Sequence, residues 1–306
     1  MGNESLRVNL AGLSLVNPTM LASGILGYSA ETLKGIVEGG AGAVVTKSVG
    51  LNPRSGYANP TVVQTSCGLI NAMGLPNPGI DEFAKDIREA KAHLKVPLIV
   101  SVYGFSAEEY AAVAEKAVLA GADALELNVS CPHVKETGAE IGQNPKILAE
   151  VVSRVKGAVD KPVFVKLSPN VVGIAEIAEA AVKAGADAIT AINTVKAMAI
   201  DIETTKPILS NKRGGLSGLA IKPIAVRCVY DIYERVKAPI IGCGGITSWR
   251  DAVEFMLAGA SAIQIGTAIA LKGSRVFKSV TRGIKAYLKR KGFRSVEEIV
   301  GLAHRC

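Results

Sequence analysis

The chain has 306 residues, a net charge of +8, 49% hydrophobic residues and 20% charged residues. This composition is typical of a well-buried globular enzyme and excludes a disordered or fibrous protein. No run approaches the roughly 18 apolar residues of a membrane span, and residues 1–8 carry no apolar signal region, so we expect a cytoplasmic protein without membrane binding. Aromatic residues are only 5% of the chain, and its one dense basic patch, at 285–294, is too small to indicate nucleic-acid binding.

One pattern recurs four times along the chain: an amphipathic helix, a glycine that suits the end of that helix, and an apolar run of strand length. The four copies end at residues 38–45, 120–127, 184–189 and 258–263. Further strands are predicted at 19–22, 97–102, 162–167 and 239–242. Eight strands that alternate with helices predict an α/β fold of the (β/α)₈ or TIM-barrel type. An open doubly wound sheet is the alternative, but it would not gather the polar residues that follow all eight strands at one face.

We expect residues 1–306 to form a single barrel domain, with a short N-terminal strand region at 5–16 and a basic C-terminal helical stretch at 275–306. Two regions, 50–78 and 194–222, are too long for ordinary loops. They follow the second and sixth strands. Loops longer than about 15 residues usually cover functional sites, so both should overhang the C-terminal face of the barrel, where enzymes of this fold carry their chemistry.

The residues that follow the strands predict a polar site at that face. In strand order they are Ser23 and Gly24, Lys47 and Ser48, Ser101, Asn128 and Cys131, Lys166 and Ser168, Asn193 and Thr194, the glycines from 242 to 245, and Gly266 and Thr267. In this fold the loops after strands seven and eight commonly hold phosphate. Glycines let backbone N–H groups approach phosphate oxygens, so these two turns predict a phosphate site.

Residues 126–133 (Glu-Leu-Asn-Val-Ser-Cys-Pro-His) carry the clearest chemical signal. Pro132 stops the fourth strand, and Cys131 lies just past the apolar run instead of inside it. A thiol at a strand tip can act as a base or nucleophile. The alternative is a buried thiol with no chemical role, and that interpretation suits Cys67, Cys228 and Cys306. The five cysteines contain no CxxC pair, so we expect no metal or iron–sulfur site in this chain.

Lys47 and Lys166 each end an apolar strand. Either one alone would be expected to extend its ammonium group to solvent. Two lysines beside a phosphate site instead indicate charge partners for an electron-rich ligand, such as a flavin ring that becomes anionic on reduction. A flavin-free phosphate-binding lyase or isomerase that uses Lys166 is the alternative.

Six motifs together resemble the dihydroorotate dehydrogenase family, and the likeness runs from about residue 6 to residue 285. The motifs are 71–75 (Asn-Ala-Met-Gly-Leu), 128–132 (Asn-Val-Ser-Cys-Pro), 165–170 (Val-Lys-Leu-Ser-Pro-Asn), 192–194 (Ile-Asn-Thr), 214–218 (Gly-Gly-Leu-Ser-Gly) and 242–245 (Gly-Cys-Gly-Gly). Cysteine at position 131 resembles class 1, and residues 165–170 resemble class 1B, the catalytic subunit of the NAD-linked enzyme. The resemblance implies FMN-dependent oxidation of dihydroorotate to orotate in the synthesis of UMP.

The resemblance also implies a role for each site residue. Cys131 would be the general base that takes the C5 proton of dihydroorotate while the C6 hydride passes to the flavin. Substrate would be bound by Lys47, Asn71, Met73, Gly74, Leu75, Asn128, Asn193 and Thr194. FMN would be bound by Ser23, Lys47, Ser48, Asn128, Lys166, Ile192 and Gly218, with its phosphate at Gly244, Gly245, Gly266 and Thr267.

Class 1B resemblance further implies that electrons reach NAD⁺ through a separate subunit with FAD and a [2Fe–2S] cluster, around a homodimeric core of catalytic chains in a heterotetramer. A fumarate-using enzyme of the class 1A type is the alternative.

His133 stands where the family often has Asn, and Ser101 replaces an Asn common at the flavin. Dihydropyrimidine dehydrogenase, a relative with the same barrel, shares the Ser-Cys-Pro-His run at 130–133. Another dihydropyrimidine is therefore the alternative substrate.

Overall fold

The apolar runs of the repeat are strands in the computed structural model, which describes residues 5–129 and 141–305. The β-strands are β1 (Val8–Leu10), β2 (Leu13–Leu15), β3 (Thr19–Leu21), β4 (Ala43–Val45), β5 (Val62–Thr65), β6 (Gly68–Asn71), β7 (Leu98–Val102), β8 (Ala124–Asn128), β9 (Val163–Leu167), β10 (Ala188–Ala191), β11 (Val195–Ala197), β12 (Ile200–Asp201), β13 (Lys206–Pro207), β14 (Gly214–Ser217), β15 (Ile240–Cys243) and β16 (Ala260–Ile265). The α-helices are α1 (Ala30–Glu38), α2 (Ile80–His93), α3 (Ala107–Leu119), α4 (Pro145–Ala158), α5 (Ile174–Lys183), α6 (Lys222–Arg235), α7 (Trp249–Leu257), α8 (Ala268–Lys272) and α9 (Val276–Lys291).

Eight parallel strands close into a barrel in the order β3-β4-β7-β8-β9-β10-β15-β16. Every residue of β7 and β9 is buried, because side chains fill the inside of the barrel while helices cover its outside. The predicted (β/α)₈ barrel is therefore confirmed, and its eight strands coincide with the eight runs identified in the sequence.

The repeated glycine has a specific structural role at the end of four helices. In α3, Gly121 lies one residue beyond the C-cap with φ +110°. Its N–H donates to the carbonyl of Val118, and the next N–H, of Ala122, donates to Ala117. This is the Schellman arrangement, which needs a left-handed residue and therefore favours glycine. Glycines with positive φ occupy the same position after α1, α5 and α7, at Gly40, Gly185 and Gly259. Within the described ranges, no helix is both long and apolar enough to cross a membrane.

The two long regions after β4 and β10 are not plain loops. They contribute four strands to one antiparallel sheet, in the order β11-β14-β6-β5. Pairing of Asn71 with Gly215 joins the two regions across 144 residues of chain. The sheet has its own small core around Ile70, Ala72 and Leu209. This accessory sheet, β11-β14-β6-β5, forms one wall of a cavity at the C-terminal face of the barrel.

Candidate active site

A cavity of about 700 Å³ opens where the barrel strands end. This volume suits a small-molecule site. Residues that follow the barrel strands form its floor and one side, and the accessory sheet forms another side through Val62 to Asn71. The site thus lies at the C-terminal face, as expected for this fold.

The predicted site residues that fall within the described ranges all line this one cavity. They are Ser23, Lys47, Ser48, Asn71, Met73, Gly74, Leu75, Asn128, Lys166, Ile192, Asn193, Thr194, Gly218, Gly244, Gly245, Gly266 and Thr267. Cys131 and its neighbour His133 lie outside the described residues, so the role given to Cys131 stays a prediction. Ser101 is fully buried behind Ser48.

Hydroxyl groups from neighbouring strands fix one wall of the cavity. The Oγ atoms of Ser48 and Ser101 are 2.8 Å apart, and Asn128 Nδ2 donates to Ser48 Oγ over 3.0 Å. The backbone carbonyl of Asn128 accepts a hydrogen bond from the Tyr110 hydroxyl at 2.9 Å. These bonds hold the end of β8, and with it the Asn128 amide, in one orientation at the cavity.

The accessory sheet positions a second set of polar groups. Asn71 ends β6, and its Nδ2 donates to the Gly215 carbonyl at 3.3 Å. Thr194 follows β10, and its N–H donates to Asn193 Oδ1 at 2.8 Å. Gly74 and Leu75 both line the cavity and both have positive φ, +75° and +58°, so the backbone turns sharply at this part of the wall.

Three glycine-containing turns line a further part of the cavity. They contain Gly218, Gly245 and Gly266, and they follow β14, β15 and β16. A Cβ on Gly245, whose φ is +74°, would lie 2.8 Å from the Gly218 carbonyl oxygen, so the two turns pack backbone to backbone. Thr267 Oγ1 donates to Ser217 Oγ at 2.8 Å and so joins the turn after β16 to them. Positive φ and close approach both require glycine at position 245, and the resulting cluster of backbone amides is suited to an anion.

Asp251, at the start of α7, braces the turn after β15. Its Oδ2 accepts hydrogen bonds from the N–H groups of Thr247 and Ser248 at 3.0 and 2.9 Å, and Lys222 Nζ lies 3.0 Å from Oδ1. Burial by itself opposes ionisation, but the hydrogen bonds from Lys222, Thr247 and Ser248 hold the pKa of Asp251 below its usual value. Asp251 is therefore a carboxylate that fixes the loop.

The floor of the cavity contains a buried ion pair. Lys166 Nζ donates to Gln264 Oε1 at 2.9 Å and lies 3.5 Å from Glu126 Oε1. Glu126 Oε2 accepts hydrogen bonds from Gln264 and from the Thr190 hydroxyl. Burial alone would lower the pKa of Lys166, but the negative charge of Glu126 raises it above its usual value. Burial also raises the pKa of the nearby Cys243 thiol. The floor therefore presents an ammonium group beside a neutral thiol.

Three further residues contribute to this floor although they were not predicted as site residues: Glu126, Thr190 and Gln264. Each is fully buried within a barrel strand. A signal was present, because Glu126 stands between Leu125 and Leu127 and a charge inside an apolar strand requires a partner. The facing partner, however, comes from another strand and cannot be identified by spacing.

Comparison with known proteins gives consistent matches. The family model described as dihydroorotate dehydrogenase matches residues 5–288. The chain is 56% identical to "Dihydroorotate dehydrogenase B (NAD(+)), catalytic subunit" of Pyrococcus abyssi, over 97% of this chain and 99% of the relative. The protein of the same name from Methanocaldococcus jannaschii is 52% identical, over 99% of this chain and 100% of the relative. Among solved structures, DHODH from Eimeria tenella in complex with ferulenol matches with a TM-score of 0.88 at 23% identity, over 99% of this chain and 89% of the other. At that identity the likeness concerns the fold alone.

Proposed function

Because the chain belongs to the dihydroorotate dehydrogenase family, we propose that its 700 Å³ cavity holds FMN together with dihydroorotate. The chain is a class 1B catalytic subunit and oxidises dihydroorotate to orotate in pyrimidine biosynthesis. The family resemblance seen in the sequence is thereby confirmed. This proposal rests above all on one observation: Lys47, Lys166, three asparagines and the glycine turns line the same cavity.

The residues present fit a flavin nucleotide. At one end the turns around Gly218, Gly245 and Thr267 offer backbone amides to a phosphate. At the floor the Lys166 ammonium can stabilise negative charge on the ring. When bound, a flavin supplies the hydride acceptor that this reaction needs. Family membership supports a flavin, and the glycine turns that line one end of the cavity support a flavin with a phosphate group, FMN.

The remaining polar groups suit the substrate. Asn71, Asn128 and Asn193 offer neutral donors and acceptors, which match the N–H and C=O groups of a pyrimidine ring. Lys47 supplies a positive charge that a carboxylate can pair with. Cys131 is proposed as the base that removes the C5 proton, since it follows β8 by three residues and a thiol of ordinary pKa is partly ionised near neutral pH.

The geometry disfavours the flavin-free lyase or isomerase. A Schiff-base lysine must lose its proton to act as a nucleophile. Lys166 instead has a raised pKa, because Glu126 lies 3.5 Å away in the buried floor of the cavity. The Lys166 side chain therefore stays protonated at neutral pH and does not act as a nucleophile.

We propose that the electrons pass to a separate subunit, which carries FAD and a [2Fe–2S] cluster and reduces NAD⁺. We further propose that a homodimer of this chain forms the centre of a heterotetramer and that this complex is cytoplasmic. The relatives named as NAD(+)-linked catalytic subunits support a partner chain. Fumarate is the alternative electron acceptor. The test adds NAD⁺ or fumarate to the reduced protein, with and without the partner subunit, and measures which of them reoxidises it.

The substrate and cofactor are tested by one anaerobic experiment. The protein is saturated with FMN and mixed with dihydroorotate, and the flavin absorbance should bleach within a single turnover. Dihydrouracil, which lacks the carboxylate, should leave the absorbance unchanged. Failure to bind FMN would remove the cofactor assignment, and bleaching by dihydrouracil but not by dihydroorotate would assign a different dihydropyrimidine as substrate.

A further inference from the structure

Glu126 is charged, fully buried and not exposed to the cavity. Its carboxylate stands behind Lys166 and Gln264, which do line the cavity. The two side chains form a closed arrangement with it: Lys166 donates to Gln264, Gln264 donates to Glu126, and Lys166 lies 3.5 Å from the other Glu126 oxygen. A carboxylate in such a place is costly to bury unless it is paired, so its position is informative.

We propose that Glu126 is a positioning residue for the flavin site: it holds the Lys166 ammonium at the cavity floor and offsets its charge, and so limits how strongly the cavity favours the reduced, anionic flavin. This inference rests on the proposed binding of FMN. Glu126 acts through Lys166 and Gln264 and touches neither cofactor nor substrate.

The direction of the effect follows from the charges. Taking up two electrons and one proton gives the flavin ring one negative charge. Lys166 attracts that charge, whereas Glu126, on the same floor, repels it. Buried charges interact more strongly than exposed ones because water screens them less. The Lys166–Glu126 pair therefore provides a fixed hydrogen-bond donor with little net charge, which allows the reduced cofactor to give up its electrons again.

The test compares the affinities of the oxidised and reduced cofactor. Glu126→Gln keeps the size of the side chain and one acceptor oxygen for Thr190 and Gln264 but removes the charge. At pH 6.0 a lysine stays protonated unless its pKa falls by about four units, so this variant exposes an uncompensated ammonium group. We expect reduced FMN to gain at least tenfold in affinity relative to oxidised FMN, which raises the two-electron potential by about 30 mV or more. A ratio within twofold of the unaltered protein would overturn the proposal.

Thr190→Val is the matched control, because it removes one hydrogen bond to Glu126 and leaves the charge in place. It should leave the affinity ratio within twofold. A tenfold shift in this variant too would mean that packing, not charge, sets the ratio, and would also overturn the proposal.

Glu126→Gln leaves a buried lysine unpaired and can therefore reduce folding. The double variant Glu126→Gln/Lys166→Met removes both charges and keeps the experiment decisive. It should abolish the tenfold gain of reduced FMN and return the affinity ratio to that of the unaltered protein or further toward the oxidised form, because the uncompensated ammonium group is gone and its hydrogen-bond donor with it. If instead the double variant shifts the ratio tenfold toward the reduced form, the offset does not arise from this pair. The unaltered protein separates the two proposals: if it fails to bind FMN at all, the cofactor assignment itself is wrong.

Discussion

Gly215 packs directly against Thr194, so closely that a Cβ on Gly215 would overlap the Thr194 Oγ1 atom. The contact joins β14 of the accessory sheet to the segment that leads from β10 of the barrel into β11. Asn71 is hydrogen-bonded to the same Gly215 carbonyl. One glycine thus sets the spacing between two groups that we propose bind the substrate.

Gly215→Ala should therefore weaken substrate binding. The added methyl group must push Thr194 and the accessory sheet apart, which moves Asn71 as well. We expect the KM for dihydroorotate to rise more than tenfold while the affinity for FMN changes less than threefold, measured by steady-state kinetics and by FMN titration.

Gly35→Ala is the matched control, since Gly35 lies within α1 with nothing within 4 Å of the added Cβ. It should raise the free energy of unfolding by about 0.5–1 kcal/mol and leave KM unchanged. An unchanged KM in Gly215→Ala would contradict the proposed substrate wall.

The Gly215 contact also illustrates what the sequence does and does not predict. The barrel follows from local signals, since four of the helices are followed by a glycine such as Gly121 and each barrel strand is an apolar run. Those signals lie within a few residues of one another. The pairing of Asn71 with Gly215 joins positions 144 residues apart, and a strand as short as β11, which has three residues, has no periodicity to detect. The accessory sheet was therefore predicted only as two long loops.

The residues of the candidate site also fall into two groups, those that local sequence signals predict and those that they do not. Residues at strand ends, such as Lys47 and Thr267, could be identified because the fold itself places strand ends at one face. Glu126 and Gln264 lie deeper in their strands, and their roles depend on which strands face each other across the closed barrel. Spacing along one chain does not contain that information.

Gly245→Ala should weaken FMN binding. Position 245 has φ +74°, and a Cβ there would lie 2.8 Å from the Gly218 carbonyl oxygen and from Lys222 Cβ. The turn must open, which displaces the backbone amides that we propose hold the phosphate. We expect the dissociation constant for FMN to rise at least tenfold, as followed by the quenching of flavin fluorescence.

Gly292→Ala is the control for backbone strain alone, because Gly292 has a similar φ of +79° and no atom within 4 Å of the added Cβ. It should cost about 1 kcal/mol of stability and leave the affinity for FMN intact. Equal losses of FMN affinity in the two variants would show that general destabilisation, and not the position of the turn, explains the effect.

Asp251→Asn should destabilise the protein in a pH-dependent way. The pKa of Asp251 is lower in the folded protein than its usual value, so its carboxylate stabilises the fold at every pH above the unfolded-state pKa of about 4. That contribution is lost as the pH falls through the folded-state pKa. We expect the variant to lose about 1–3 kcal/mol at pH 7, and the difference from the unaltered protein to shrink at pH 3.5, measured by urea denaturation.

Asp231→Asn provides the comparison for this measurement, since Asp231 pairs with Arg227 on the exposed face of α6. Exposed pairs contribute little, so the loss should stay below about 0.5 kcal/mol at both pH values. A loss in Asp251→Asn that is the same at pH 7 and pH 3.5 would rule out its carboxylate charge as the cause.

Cys131→Ala should separate binding from chemistry. The thiol is proposed to remove the C5 proton, whereas the cavity that binds FMN is built from other residues. The variant should therefore bind FMN with unchanged affinity but be reduced by dihydroorotate more than about 10²-fold more slowly, the usual scale for loss of a general base. Anaerobic stopped-flow absorbance of the bound flavin measures this rate directly.

Cys228→Ala is the control, because Cys228 is buried in α6 and does not line the cavity. In this variant the rate of flavin reduction should stay within threefold of that in the unaltered protein. Rapid reduction of Cys131→Ala would transfer the role of base to another residue. Asn128 and Lys47 would then be poor candidates, because an amide takes up no proton near neutral pH and a lysine ammonium group has no lone pair with which to accept one.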